Sequence, residues 1–231
     1  MTGFLLDNRF SPVTNSIGFL KCDPDRAARA YMDWQAGIQA KRGVRLAQEP
    51  VSGPLLNALR SLLPLTSVET RRFLFLPTRS PWTAFLDNGH DGTDVFAPIS
   101  FLAQQLGCEG IRATATPHAP EDRLFGATIL EIYGPHKTEF LNYIRSVAST
   151  CDGYGWSFSA AGTVQPFEDP ARYAQRKIQS RFTLEMLNAY LNAMGIDAFD
   201  MDFYLPDNRA AIRIEKIGPS APAMREVPTG F

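Results

Sequence analysis

Between Arg71 and Gly153 the chain runs through one order of sequence signals twice, and this constrains its fold more than any other feature. Arg72-Phe73-Leu74-Phe75-Leu76 is followed by a proline-containing turn, then Trp82-Thr83-Ala84-Phe85-Leu86, then an apolar helical run closing at Cys108-Glu109-Gly110. Ile111-Arg112-Ala113-Thr114-Ala115, a second Pro-containing turn and Ile129-Leu130-Glu131-Ile132-Tyr133 follow, and Phe140, Ile144, Val147 and Ala148 supply the apolar face of a second helical run closing at Cys151-Asp152-Gly153. Two strand–strand–helix units, 71–110 and 111–153, predict an α+β fold. Its sheet is mainly antiparallel, with further N- and C-terminal helices packed on it.

The flanking segments carry local signals of their own. Ser16 to Cys22 reads as a short strand. Asp23 is suited to cap a helix that has Pro24 in its first turn, with Ala27, Tyr31, Trp34 and Ile38 as the inward stripe. A second helix is expected from Leu55 until Pro64 stops it. Gly107 stands where a left-handed cap would end the helix that starts near Pro98. Tyr154, Trp156 and Phe158 alternate with small residues, as a half-buried strand with an aromatic inner face does. Two helical segments are expected after Pro166, the second capped by Thr183 and stopped by Gly195. Strands follow at 199–204 and 211–214, then a loosely ordered tail over 216–231. No linker-like stretch divides the chain, so residues 1–231 are read as one domain.

Composition narrows the functional classes. A 231-residue chain can bury roughly 70% of its unfolded surface and needs neither disulfides nor metal to hold a core. With 45% hydrophobic and 20% charged residues it is a folding sequence. Lys+Arg of 23 against Asp+Glu of 24 leaves a net charge of −1, which argues against a general polyanion binder. Three widely spaced cysteines fit free thiols in a reducing compartment rather than a disulfide framework, and the pseudo-repeat would relate Cys108 to Cys151. Neither a signal peptide nor a membrane-length apolar run is evident, so a soluble, cytoplasmic protein with no membrane partner is expected.

Four constellations invite a chemical reading. The loop Asp87-Asn88-Gly89-His90-Asp91-Gly92-Thr93-Asp94 gathers three carboxylates and a histidine in eight residues. It departs from a calcium loop at the third and twelfth positions, and Asn-Gly and Asp-Gly are strong turn formers. Asp200-Met201-Asp202 presents the paired carboxylates that sugar-nucleotide transferases use on a metal, without the phosphate loop such folds need. Arg172, Arg176, Lys177 and Arg181 would make one helix basic, and with the 154–158 aromatics they outline a nucleic-acid surface that the net charge disfavours. Glu131, opposite Leu130 and Ile132 on its strand, is expected to face solvent. No nucleophile elbow or activated cysteine motif is present.

The resulting expectation is a non-enzymatic binding protein that engages a protein partner, with Asp87, Asn88, His90, Asp91, Asp94 and neighbouring Trp82 as its surface and no metal or cofactor. In that general style the chain is similar to compact immunity proteins, which neutralise toxins by surface binding. The alternatives are a metal-dependent small-molecule enzyme using the same loop, and a nucleic-acid binder using the 172–181 segment.

Overall fold

The computed structural model describes residues 3–90, 95–122, 124–205, 207 and 209–228. In chain order these form β1 (Ser16–Leu20), α1 (Pro24–Ala40), β2 (Arg45–Val51), α2 (Leu55–Arg60), β3 (Leu65–Ser67), β4 (Arg72–Pro77), β5 (Thr83–Asp87) and α3 (Phe96–Leu106). There follow β6 (Gly110–Thr116), β7 (Ala127–Tyr133), β8 (Tyr143–Cys151), β9 (Trp156–Gly162), α4 (Leu184–Ala193), β10 (Ala211–Ile217) and β11 (Arg225–Val227). Nine strands make one antiparallel sheet in the order β2-β10-β4-β5-β1-β6-β7-β8-β9, and β11 pairs with β3 apart from it. The α+β class with an antiparallel sheet is therefore the architecture of the chain.

Local signals account for several elements directly. Asp23 accepts a hydrogen bond from the Asp25 N–H and opens α1. Gly107 closes α3 at φ 63°, the left-handed geometry a side chain resists. Thr183 caps α4. Within α1 the buried face runs through Ala27, Ala28, Tyr31 and Gln35, while Ile38 is exposed, so the inward stripe is narrower than the sequence spacing implies.

One transverse row explains how the two halves of the sheet differ. Successive registers align Pro50, Ile212, Phe75, Phe85, Gly18, Arg112, Glu131, Ser146 and Ala161 across all nine strands on one face. At Ile212, Phe75 and Phe85 the row is apolar, and Tyr31 of α1 packs on both aromatic rings. At Gly18 the absent side chain makes room for α3. A Cβ there would lie 2.4 Å from Ile99 Cγ1. Beyond Gly18 the row turns polar and then small, and α3 meets β8 at its first residue, where Phe96 stacks on Tyr143. The opposite face holds the larger apolar cluster, where Leu5, Phe10, Leu59, Phe182, Leu187 and Leu191 cover Ile17, Leu74, Ala113 and Val147.

The second unit does not repeat the first. Residues 143–151 are strand β8, where a helix is expected from the spacing of Phe140, Ile144, Val147 and Ala148. Arg145, Val147 and Ser149 are its buried residues, so the alternation is present but carried partly by a charged side chain. Phe140 lies outside the strand and is exposed. Two further segments differ. Residues 199–204 form a short 3-10 turn at Met201–Phe203, because Asp200 folds back to accept the Asp202 N–H. The 170–181 region is two 3-10 turns, Pro170–Ala174 and Ile178–Ser180, and not one basic helix. At the C-terminus, β10 extends to Ile217, and Glu69 accepts from the Ala221 N–H ahead of β11.

Candidate functional site

The 87–94 loop is half internal. Asp87 and Asn88 are buried at the end of β5. Asn88 Oδ1 accepts from the backbone N–H groups of Arg71 and Arg72 at 2.9 Å each, and its Nδ2 donates to Pro64 O at 2.9 Å. Asp87 Oδ1 accepts from Gly89 N–H, a turn-forming contact. His90 is exposed, with its backbone N–H donated to Thr66 O. Asp91 and Asp94 lie outside the described residues. Trp82 is buried, and its indole N–H donates to Met194 O at 3.0 Å, tying β5 to the end of α4. Among the described residues no three His, Cys, Asp or Glu side chains converge as metal ligands would.

The other constellations are likewise engaged in structure. Asp200 pairs with Arg79. Arg181 donates from Nε to Gln175 O and stands over the Phe158 ring. Tyr154 is fully exposed in the β8–β9 turn, whereas Trp156 leans on His118 and Phe158 on Tyr173, so the three aromatics do not make one platform.

Glu131 is buried, against the expectation that it faces solvent. It accepts from Arg112 Nη1 at 3.1 Å, from the Tyr133 hydroxyl at 2.6 Å and from the Tyr143 hydroxyl at 3.1 Å. Burial and then the Glu131 charge push the Tyr143 hydroxyl up to about 12. Both tyrosines are therefore proton donors that satisfy the carboxylate, and the cluster is closed on itself. Only tertiary pairing reveals this. On β7 alone Glu131 alternates like any outward residue.

Beyond this cluster the sheet opens. A trough of about 560 Å³ is lined by Phe140, Tyr143, Ile144, Ser146, Ala161 and Thr163 among others. Phe140 is 67% exposed and stacks on Tyr143, forming one wall. The floor continues along Ala148 and Thr150 of β8 and the exposed Ser157, Ser159 and Ala161 of β9.

The sheet's two edges are unlike. The β2 edge carries Arg45, Glu49 and Pro50, the charges and proline that discourage pairing with another strand. The β9 edge, Trp156-Ser157-Phe158-Ser159-Ala160-Ala161-Gly162, carries neither charge nor proline. The Thr163 N–H donates to Ile144 O and the Asp152 N–H to Gly155 O, so the odd-numbered residues of β9 face β8. By the alternation of antiparallel ladders, the N–H and C=O groups of Phe158 and Ala160 point away from the sheet.

The chain matches no family model, no curated protein and no solved structure. The geometry of the sheet edge and its floor is what any functional reading stands on.

Proposed function

We propose that this chain is a non-enzymatic binding protein that takes an extended segment of a partner protein along β9. The observation that carries the reading is the contrast between the guarded β2 edge and the uncharged, proline-free β9 edge. Strand addition uses outward backbone groups for affinity and nearby pockets for specificity. Phe158 and Ala160 supply the former, and the trough beside Phe140 and Tyr143 receives side chains of the added strand. A floor of Ser, Ala and Thr lets a partner segment lie close, without bulky residues to displace. The reading keeps the binding role expected from the sequence and places its surface at the sheet edge instead of the 87–94 loop.

A photo-crosslinking residue at Ser159, compared with one at Gln48 on the opposite edge, tests the proposal in cells. The reading requires a discrete heterologous product at Ser159 and none at Gln48. Binding of that purified partner must then be lost in Ala160→Pro, which removes an outward N–H. Equal crosslinking at both edges overturns the proposal. So does a purely self-crosslinked product, which assigns the edge to a second copy of the chain.

A further inference from the structure

We propose that Cys22 and Cys108 form an oxidisable dithiol, with hydrogen peroxide as the oxidant that closes the two thiols to a disulfide. Strands β1 and β6 pair up to Leu20 opposite Gly110, and the Lys21 N–H donates to Glu109 O in the next step of the same register. Continuing that register by one step sets Cys22 opposite Cys108, and each thiol shifts the other's proton affinity, as near neighbours do. In an antiparallel ladder the pair after a hydrogen-bonded one has its Cα atoms about 4.5 Å apart, which lies within the span a disulfide bridges. Each cysteine also sits at a helix end, Cys22 just before the Asp23 cap of α1 and Cys108 just after the Gly107 cap of α3. Arg26 of α1 donates to Leu106 O at 2.7 Å and holds those two ends together.

Contact with Cys22, the Arg26 charge and the Lys21 backbone N–H hold the Cys108 thiol below its ordinary value although burial opposes it. Contact with Cys108, together with burial, pushes the Cys22 thiol up. Lys21 is paired with Glu109 at 2.6 Å and Asp23 with Arg209 at 3.7 Å, so the local charges are balanced. Cys22 lines a cleft of about 300 Å³ together with Lys21, Trp82 and Arg209, and both thiols are half-buried, which leaves a path for a small oxidant.

The chemistry balances. One thiolate of the pair attacks one peroxide oxygen, an S–O bond forms, the O–O bond breaks, and the leaving oxygen departs as water after taking a proton. The other thiol then attacks the sulfenic sulfur. The S–S bond forms, the S–O bond breaks, and a second water leaves with that thiol's proton. Two thiols are oxidised and one peroxide is reduced to two waters. The product staples the start of α1 to the end of α3, and a cellular dithiol would reverse it. This inference stands independently of the binding reading.

The test treats the reduced full chain with increasing hydrogen peroxide, then blocks free thiols and maps the peptides by mass spectrometry. The expected product lacks two hydrogens, joins the Cys22 and Cys108 peptides, and forms at least ~10-fold faster than any adduct on Cys151. Cys22→Ser and Cys108→Ser each abolish the linked product, and the variant that keeps the attacking thiol traps a dione-reactive sulfenic acid on it. Oxidation of Cys151 at the same rate overturns the assignment, as does a disulfide that links either cysteine to Cys151 instead. Melting curves establish that both variants are folded, and if either is not, the linkage found in the unaltered chain decides.

Discussion

Arg145 and Glu168 form a two-pronged ion pair inside the protein. Arg145 Nε lies 2.9 Å from Glu168 Oε1 and Nη2 lies 2.7 Å from Oε2, with side-chain exposures of 4% and 0%. The Tyr173 hydroxyl and the Gln165 N–H complete the carboxylate's hydrogen bonds. The pair anchors the segment after β9 near the start of β8, on the face opposite the open floor.

Breaking the pair from one side leaves an uncompensated buried charge, which costs about 3–5 kcal/mol. Arg145→Ala or Glu168→Ala should lower unfolding free energy by that amount in urea titrations. The double replacement Arg145→Met with Glu168→Leu should recover most of it, since both charges go together. A double variant as unstable as the sum of the singles would show that the partners act separately.

Acid should act through the same pair. Burial opposes the Glu168 charge, yet the Arg145 guanidinium, the Gln165 N–H and the Tyr173 hydroxyl outweigh it and hold the carboxyl below its ordinary value. A depressed folded-state pKa means the unfolded chain binds the proton first as pH falls. Its contribution is therefore fully present above the ordinary glutamate range near pH ~4.3 and is lost as pH drops through the folded value. The urea midpoint should stay level from neutral pH to about 5 and then decline, and Glu168→Gln should flatten that decline.

Gly18 sets how closely α3 approaches the sheet. An added methyl would lie 2.4 Å from Ile99 Cγ1 and 2.7 Å from its Cδ1. Gly18→Ala should cost about 1–3 kcal/mol by overpacking, with Ile99→Val restoring part of it. Thermal melts of the single and double variants measure both quantities.

Neighbouring residues on β9 should respond oppositely to proline. The Ala160 N–H points outward, so Ala160→Pro should change stability by less than about 1 kcal/mol, as proline is accepted on the free side of an edge strand. The Ser159 N–H faces β8, and Ser159→Pro should cost about 1–3 kcal/mol by removing a ladder bond and leaving its acceptor unsatisfied. Urea titration of the two variants, with amide exchange of their β8 neighbours, reads the difference. Equal effects would contradict the assigned outward groups.

The parts of the fold legible in the sequence are those whose causes lie within a few residues. Asp23 and Pro24 open α1, Gly107 closes α3, and Thr183 opens α4, because capping satisfies backbone groups one turn away. β4 through β7 were readable as uninterrupted runs or alternations of apolar residues. β8 was not, since one of its inward residues is Arg145, and a charge looks outward until its partner 23 positions away is known. Glu131 misled for the same reason, being neutralised by Arg112 from the adjacent strand and two tyrosine hydroxyls. For the candidate site the turn chemistry of Asp87 and Asn88 was visible, but not that Asn88 is spent pinning Arg71, Arg72 and Pro64.

The sequence by itself determined an α+β chain with an antiparallel sheet, the ends of its main helices, and cysteines not arranged as a disulfide framework. Tertiary structure alone decided that β10, from near the C-terminus, inserts between β2 and β4, that β9 is left as an unguarded edge, and that Cys22 meets Cys108 instead of Cys151. Caps and periodicity act along a few neighbouring peptide units. Strand order, edge exposure and the compensation of buried charge depend on which distant segments the folded backbone brings into register.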